Sequence, residues 1–266
     1  MFDLTRLPKK ISGQISGLKY TIDDMGKSGA DILMFADMVL KIEKNSASSE
    51  NERELLVWLD GKLPVPKVLE FEIMDGYSFL LMSKLRGEMA CSDGSISKMN
   101  ETVKALARGL MMLWQINISD CPLSNTVSKK MVSAKHRIEN GLIDTNDFNS
   151  ETFGEEGFSD VCDLYEYLDK NRPGENFVFS HGDFCLPNVF VNGADIAGII
   201  DWSCGGIADR WQDIALCVRS LRHNYIECAG YGEAEYEKYK SLLFYELGIK
   251  PDEEKIRYYI LLDELF

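Results

Sequence analysis

Three polar residues, Asp183, Asn188 and Asp201, supply a carboxylate, an amide and a second carboxylate within one short part of the chain. Oxygen atoms of these groups, together with phosphate and water, are the ligands that Mg²⁺ prefers. A carboxylate can also orient a hydroxyl group and accept its proton. Each residue alone is typical of a turn or a helix cap, so the interpretation depends on all three occurring together.

The segment His181-Gly-Asp-Phe-Cys-Leu-Pro-Asn188 has the spacing His-x-Asp-x4-Asn, which matches the phosphotransfer loop of kinases. In such loops the Asp orients and deprotonates the attacking hydroxyl, while the Asn and a later Asp bind magnesium. The pattern therefore predicts Asp183 as the catalytic base and Asn188 and Asp201 as magnesium ligands. His181 could be a metal ligand or a base, but we favour a ring that braces the loop through hydrogen bonds.

A kinase also needs a positive charge near the nucleotide phosphates. Lys41 lies in the apolar strand pattern Val39-Leu-Lys-Ile42, a position that suits this role. Such a lysine needs a carboxylate on the following helix to hold it extended. Glu52 and Glu54 are candidates, and Glu50 is a weaker one.

The segment Met25-Gly-Lys-Ser-Gly-Ala30 contains Gly-Lys-Ser but does not form a P-loop motif. Position 21, where the motif requires its first glycine, is Thr, and no helix is predicted directly after Ser28. Gly26 and Ser28 fit better in a hairpin loop whose backbone N–H groups cover phosphates. We therefore predict them as nucleotide-binding residues.

The elements that must position these residues separate into two regions. Apolar alternation predicts strands over 32–35, 38–42, 68–73 and 78–82, around one helix over 49–59 capped by Ser48 or Ser49. Beyond residue 101 the pattern is mostly helical, including segments over 132–139 and 213–221. It is interrupted by one group of three strands over 177–179, 189–191 and 196–200, with a hairpin turn at Asn192-Gly193. This predicts an α+β protein with a small β-rich lobe (1–84), a larger, mostly helical lobe (85–266) and a cleft at their junction.

Composition and charge exclude several classes of protein. The formal net charge is −14, which disfavours binding to nucleic acid and suits a cationic small molecule. The seven cysteines include no Cys-x-x-Cys pair, so we expect no disulfide framework or zinc site, and a cytoplasmic location. No apolar stretch of about 18 residues is present, so we expect no membrane partner.

The combination of motifs resembles the aminoglycoside 3'-phosphotransferases. The resemblance rests on the loop 179–183, on Asn188 and Asp201, on residues 58–68 and 206–215, and on the tail 258–266. It implies a protein-kinase-like fold with two lobes, the use of ATP (GTP possible) and Mg²⁺, and phosphorylation of an aminoglycoside hydroxyl, which confers resistance. We expect a monomer or a weak homodimer.

The same resemblance implies further site residues. Glu52 is the partner of Lys41, and the hinge that meets adenine comprises Met82, Ser83 and Leu85. The family binds the ammonium groups of the drug with acidic side chains and the carboxylate of its last residue. By position, the substrate-binding candidates are Asp183, Glu151, Glu155, Glu156, Glu264 and Phe266.

The sequence departs from the family at three places around the drug and the adenine. Trp202-Ser-Cys204 stands where the family usually has a glycine–arginine pair, and His223-Asn224 stands where close relatives carry two acids. Val39 replaces a residue that is often aromatic. None of these changes falls on Asp183, Asn188 or Asp201.

Three alternative functions remain open from sequence. The first is a kinase for another small hydroxylated substrate, such as a sugar, an amino alcohol or a macrolide. The second is a binding protein without activity, which would not need Lys41, Asp183, Asn188 and Asp201 together. The third is metal-dependent hydrolysis by His181 and Asp183, which lacks the additional ligands such sites use.

Overall fold

The computed structural model describes residues 2–23, 29–143, 152–153 and 157–266. In this part of the chain an antiparallel sheet of five strands, ordered β1-β2-β3-β5-β4, precedes a mostly helical region. The predicted α+β class is therefore confirmed. The last strand of this sheet ends at Ser83, while the lobe boundary between residues 84 and 85 stays a prediction.

The first region consists of one short helix, the sheet and one longer helix. In chain order these are α1 (Lys9–Ile15), β1 (Thr21–Asp23), β2 (Asp31–Met34), β3 (Met38–Lys44), α2 (Ala47–Leu59), β4 (Val68–Met74) and β5 (Tyr77–Ser83).

The second region contains the remaining helices and five short strands. These are β6 (Glu88–Met89), α3 (Asp93–Ile96), α4 (Met99–Trp114), α5 (Val127–Glu139), α6 (Val161–Lys170), β7 (Phe177–Ser180), β8 (Val189–Asn192), β9 (Asp195–Ile199), β10 (Gly206–Asp209), α7 (Arg210–Arg222), α8 (Glu233–Leu247) and α9 (Glu253–Asp263). Short helical turns also form over Leu4–Arg6 and Leu186–Asn188, and a π-helical turn forms over His223–Cys228.

The five-stranded sheet has two differently used faces because side chains alternate along each strand. Leu40 and Ile42 of β3 join Phe79 and Leu81 of β5 in a buried apolar cluster with Ile11 of α1. The side chain of Lys41, between the first two, therefore points to the opposite face. That face is covered by α2, whose Leu55, Leu56 and Leu59 are buried and belong to the larger core cluster shared with the second region.

Helix α2 begins two residues earlier than the sequence predicted. Its N-cap is Ser46, not Ser48 or Ser49, and the side chain of Ser46 accepts a hydrogen bond from the backbone N–H of Ser49. The hydroxyl of Ser49 in turn accepts from the backbone N–H of Ser46, which forms a capping box. Serines at 46, 48 and 49 lie close together here, so the sequence alone did not identify the cap.

The predicted group of three strands is wrong in its pairing. β8 and β9 form the predicted hairpin, but their sheet continues through β6, whereas β7 pairs antiparallel with β10. The two-residue strand β6 is too short to leave a periodic signal. Helix α5 begins at Val127 and α7 at Arg210, both earlier than predicted, because Thr126 and Asp209 cap them.

Candidate active site

Residues 181–188 form a loop between β7 and β8, and nearly all of its polar groups have partners. The backbone N–H of Asp183 donates to Nδ1 of His181 at 3.2 Å. The other ring nitrogen, Nε2, lies 2.9 Å from the backbone carbonyl oxygen of Ile200. Since Nδ1 accepts, Nε2 carries the proton and donates to that carbonyl. Both ring nitrogens of the fully buried His181 are used within the structure, which confirms the bracing role.

Helix α7 holds the loop through the carboxylate of Asp213. Its two oxygens accept from the backbone N–H groups of His181 at 2.8 Å and Gly182 at 2.9 Å. Complete burial raises the pKa of Asp213 above the ordinary value for aspartate, while His181 and these hydrogen bonds act in the opposite direction. Asp213 therefore acts as a brace of the loop. Asp209 is the cap, since it accepts from the backbone N–H of Trp211.

Two further residues of α7 hold the loop, and the sequence analysis missed both. Nε2 of Gln212 donates to the carbonyl of Gly182 at 3.1 Å, and the hydroxyl of Ser220 accepts from the backbone N–H of Leu186 at 2.9 Å. Both side chains are buried. A polar residue on an otherwise apolar helix is the signal that could have identified them.

Gly182 is required by a close approach of two backbone segments. Its φ is 83°, and a Cβ at this position would lie 1.9 Å from the carbonyl oxygen of Cys204. Any side chain here would push the loop away from the segment that follows Asp201. The amide of Asn125 holds that segment from the other side, with bonds of 2.8 Å to the carbonyls of Cys204 and Gly205.

Asp183 and Asn188 lie in direct contact. Nδ2 of Asn188 donates to Oδ2 of Asp183 at 2.9 Å and to the backbone carbonyl of Asp183 at 3.0 Å. Because the amide nitrogen is used in this way, the amide oxygen of Asn188 remains as an acceptor, which is the atom a hard metal requires.

Asp201 reaches the same place through the β8–β9 hairpin. The backbone N–H of Ile200 donates to the carbonyl of Asn188 at 2.9 Å. Asp201 is the next residue in the chain, so this bond brings it close to Asn188. Asp201 has a φ of 60°, an uncommon left-handed conformation that re-aims the chain after β9. Its Oδ1 accepts from the hydroxyl of Ser203 at 3.1 Å.

The chemistry of this donor set fits Mg²⁺. In the described part of the chain, no three His, Cys, Asp or Glu side chains form a metal site by themselves. Magnesium does not need such a cage, because it is commonly bound by one or two protein oxygens together with phosphates and water. One carboxylate, from Asp201, and one amide oxygen, from Asn188, match that requirement.

Lys41 and Glu52 form a buried ion pair beside this set, with 2.7 Å between Nζ and Oε2. Only 8% of Lys41 and 2% of Glu52 are exposed. Burial by itself lowers the pKa of Lys41, but the carboxylates of Glu52, Asp201 and Glu43 outweigh it and raise the pKa. Burial raises the pKa of Glu52, against the opposing effect of Lys41. Among the sequence candidates, Glu52 is thus the partner, whereas Glu50 and Glu54 are exposed.

The predicted hinge residues lie where the two regions meet. Met82 is buried. The backbone N–H of Ser83 donates to the carbonyl of Lys67, the residue just before β4. Leu85 packs against β9, since a Cβ on Gly198 would lie 2.4 Å from its Cδ1. The segment therefore connects the five-stranded sheet with the hairpin that leads to Asp201.

The predicted acceptor side is described only in part. Glu151, Glu155 and Glu156 lie outside the described residues, as do Gly26 and Ser28, which are predicted for the nucleotide side.

Glu264 and Phe266 lie at the end of α9. Oε1 of Glu264 is 3.5 Å from the hydroxyl of Thr152, and Phe266 is 45% exposed.

Arg137 of α5 holds this tail, which the sequence analysis did not predict. Its Nε donates to the carbonyl of Leu265 at 2.9 Å and its Nη2 to the backbone oxygen of Phe266 at 2.7 Å. Nζ of Lys130 lies 4.9 Å from the centre of the Phe266 ring. Asp263, within the same tail, pairs with Arg219 of α7 at 2.6 Å. No sequence pattern links α5 with the tail.

Comparison with known proteins places the chain in a family. The phosphotransferase enzyme family matches residues 9–245. Aminoglycoside 3'-phosphotransferases from Enterococcus faecalis and Staphylococcus aureus are 42% and 41% identical over 218 residues, which is 82% of this chain in both cases and 78% and 79% of theirs. The chain belongs to the aminoglycoside 3'-phosphotransferase family. It is a phosphotransferase enzyme.

Solved structures support the same fold. The crystal structure of a type VIII aminoglycoside 3'-phosphotransferase is 26% identical, covers 97% of both chains and gives a TM-score of 0.82. An aminoglycoside phosphotransferase from Streptomyces rimosus covers 100% of this chain and 99% of its own, with a TM-score of 0.84 at 22% identity. The predicted protein-kinase-like fold is confirmed.

Two expectations on the chemistry of the chain can also be compared with the structure. All seven cysteines are free, as expected. None of the helices that the structure describes is long and apolar enough to cross a membrane.

Proposed function

We propose that this enzyme transfers the γ-phosphoryl group of ATP to the 3'-hydroxyl of a kanamycin-type or neomycin-type aminoglycoside, and that this transfer confers resistance. The observation that carries the proposal is the contact of Asp183 with Asn188 at the end of the hairpin that leads to Asp201, next to the buried pair of Lys41 and Glu52. A carboxylate base, two oxygen ligands and a fixed cation are the parts that phosphoryl transfer uses.

The nucleotide side of the site would be held by the first region. Met82, Ser83 and Leu85 would meet the adenine, and the ammonium group of Lys41 would bind the phosphates. Glu52 keeps the Lys41 side chain extended, since the two atoms are 2.7 Å apart in a buried setting. Asn188 and Asp201 would hold Mg²⁺, whose charge offsets that of the phosphates when it is bound.

Asp183 would act on the acceptor. Oδ2 accepts from the amide of Asn188. Oδ1 accepts from the thiol of Cys185 and keeps a second lone pair, with which it would orient the acceptor hydroxyl and accept its proton. As the hydroxyl oxygen forms its bond to the γ-phosphorus, the bond to the β–γ bridging oxygen breaks, and ADP leaves with that electron pair. The rigid loop supplies position, because Asp213, Gln212 and Ser220 hold its backbone.

The acceptor side would recognise the positive charge of the drug. The formal net charge of −14 attracts polycations to the protein, and Glu264 near the tail provides a local carboxylate. The relative from Streptomyces rimosus has been solved in complex with ADP and streptomycin, which supports a nucleotide and an aminoglycoside as the substrate pair. A cytoplasmic location and a monomer or weak homodimer, without a nucleic-acid or membrane partner, are also part of the proposal.

A coupled ADP-release assay with Mg²⁺ and ATP tests this function. Kanamycin and its 3'-deoxy analogue form a matched pair of acceptors that differ by the reacting hydroxyl. We expect ADP release with kanamycin alone, and fragmentation mass spectrometry should locate the added phosphate on the 3'-oxygen. Phosphate on another oxygen would correct the site of transfer.

The panel also includes a sugar, an amino alcohol and a macrolide. ADP release with one of these and with no aminoglycoside would replace the proposed substrate class. Binding of kanamycin by calorimetry without any ADP release would indicate a binding protein. Replacing ATP with GTP in the same assay determines the nucleotide preference.

A further inference from the structure

We propose that Cys185 is a positioning residue for phosphoryl transfer, whose thiol fixes the carboxylate of Asp183 in the orientation that receives the acceptor hydroxyl. This inference rests on the proposed role of Asp183 as the base. It adds a function for a residue that neither the motif nor the magnesium set requires.

The carboxylate of Asp183 is held at both oxygens by different side chains. Sγ of Cys185 lies 2.9 Å from Oδ1, and Nδ2 of Asn188 lies 2.9 Å from Oδ2. A carboxylate with a single partner can rotate about its terminal torsion, which has broad energy wells. With one donor on each oxygen, that rotation is stopped.

The thiol is the donor in this contact. Burial, reinforced by the adjacent carboxylate of Asp183, raises the pKa of Cys185 well above the ordinary value for cysteine. The sulfur therefore keeps its proton, and the carboxylate of Asp183 is its nearest acceptor. Sγ also lies 4.0 Å from the backbone carbonyl of Leu216 on α7, which places the sulfur between the catalytic loop and the helix that braces it.

The chemical nature of the thiol suits a group that must still accept a proton. A thiol is a weak hydrogen-bond donor, so it orients Oδ1 without greatly stabilising the negative charge there. Oδ1 retains a second lone pair for the acceptor hydroxyl.

The fold of the loop does not depend on the Cys185 side chain. The backbone N–H of Cys185 donates to the carbonyl of Asp183 at 2.8 Å, and its carbonyl accepts from the N–H of Asn188 at 3.0 Å. These bonds persist when the side chain is shortened. Removal of the thiol should therefore change the orientation of Asp183 more than the shape of the loop.

The test compares Cys185→Ala, which removes the donor, with Cys185→Ser, which keeps a donor of similar size. For Cys185→Ala we expect kcat to fall roughly tenfold, because a small misplacement of a reacting group is costly in rate. The KM for ATP and the affinity for ADP should not change. Cys185→Ser should recover most of the lost kcat.

Cys121→Ala provides the matched control. Cys121 is also half-buried and donates to a backbone carbonyl, that of Leu123, at 3.2 Å, but it lies outside the catalytic loop. We expect its kcat to equal that of the unmodified enzyme. Thermal unfolding of all three variants shows whether a loss of fold accompanies a loss of rate.

Each outcome decides the inference. It is overturned if Cys185→Ala keeps full kcat, if Cys185→Ser falls as far as Cys185→Ala, or if ADP affinity falls together with kcat. If the unmodified enzyme phosphorylates no aminoglycoside at all, the proposed function fails instead, and that result is obtained before any variant is made.

Discussion

The loop that carries Asp183 and the tail that carries Glu264 are both proposed to form the site, yet they are held in different ways. His181 and Asp213 are fully buried, and the loop is braced by buried hydrogen bonds from α7. At the end of the tail, Arg137 donates to backbone oxygens in a partly exposed setting. The polar supports of the loop thus lie within the core, whereas those at the end of the tail lie nearer the surface, although Leu265 itself is fully buried.

We therefore expect the loop, which carries the proposed base, to tolerate less change than the tail, which carries proposed substrate-binding residues. A buried network tolerates little change, because each partner left alone in the interior costs the full desolvation of its polar group. Contacts at the surface can be exchanged at small cost. The departures from the family at Cys204 and His223 accordingly fall outside the three residues of the phosphotransfer set. Four variants test this contrast.

The largest effect is expected for Asp183→Ala. Loss of the base should lower kcat by roughly 10³-fold, while ADP binding is retained because Lys41 and the hinge are untouched. Steady-state kinetics and calorimetry with ADP measure the two quantities. The exposed variant Asp169→Ala serves as the control, and near-normal turnover of Asp183→Ala would contradict the assignment of the base.

The brace of the loop is tested by Asp213→Asn. The amide oxygen of the new side chain can accept from only one of the two backbone N–H groups of His181 and Gly182. Its NH₂ group would face the other N–H, which loses its acceptor. We expect the free energy of unfolding to fall by about 2–3 kcal/mol, together with a lower kcat. Urea unfolding checks the first value. Asp163→Asn, an exposed carboxylate on α6, should change little, and equal stability of both variants would refute the contrast between the regions.

The tail is tested by Arg137→Ala. Loss of its charge-assisted bonds should loosen residues 264–266 and raise the KM for the aminoglycoside roughly fivefold. The KM for ATP should stay the same, because Lys41 and Met82, which are proposed to bind the nucleotide, belong to the five-stranded sheet and not to the tail. Arg172→Ala, which removes an exposed arginine of similar size, is the control. A fall in kcat as large as that of Asp213→Asn would mean that the tail is part of the rigid core.

The smallest effect is expected for Lys170→Ala. Lys170 pairs with Glu166 one helical turn away on the surface of α6, with 3.1 Å between the two atoms. Its removal should change the free energy of unfolding by less than about 0.5 kcal/mol. This value, from the same urea unfolding experiment, sets the baseline for exposed ion pairs. A larger loss would mean that this exposed ion pair stabilises the fold as much as a buried contact does, which would contradict the contrast.

Much of the site could be predicted because it depends on local spacing. The loop 181–188 and the hairpin after it lie within one continuous segment, so the order of residue types already indicated the chemistry. The choice of Glu52 over Glu54 also had a local signal. Glu52 falls on the same helical face as Leu55, Leu56 and Leu59, which is the buried face of α2.

Other parts could not be predicted, since they join residues that are far apart in the chain. The pairing of β7 with β10, the bond from Arg137 to the tail and the support of the loop by Ser220 each depend on how whole elements pack. No periodicity in the sequence records such contacts.

By itself, the sequence determined which groups could perform the chemistry, because the identity and order of Asp183, Asn188 and Asp201 are properties of the chain. The tertiary structure decided which of their atoms remain available: Asn188 holds one oxygen of Asp183 and Cys185 contacts the other. A hydrogen bond depends on ångström-scale distance and on direction. Only the packed arrangement of the loop against α7 fixes those quantities.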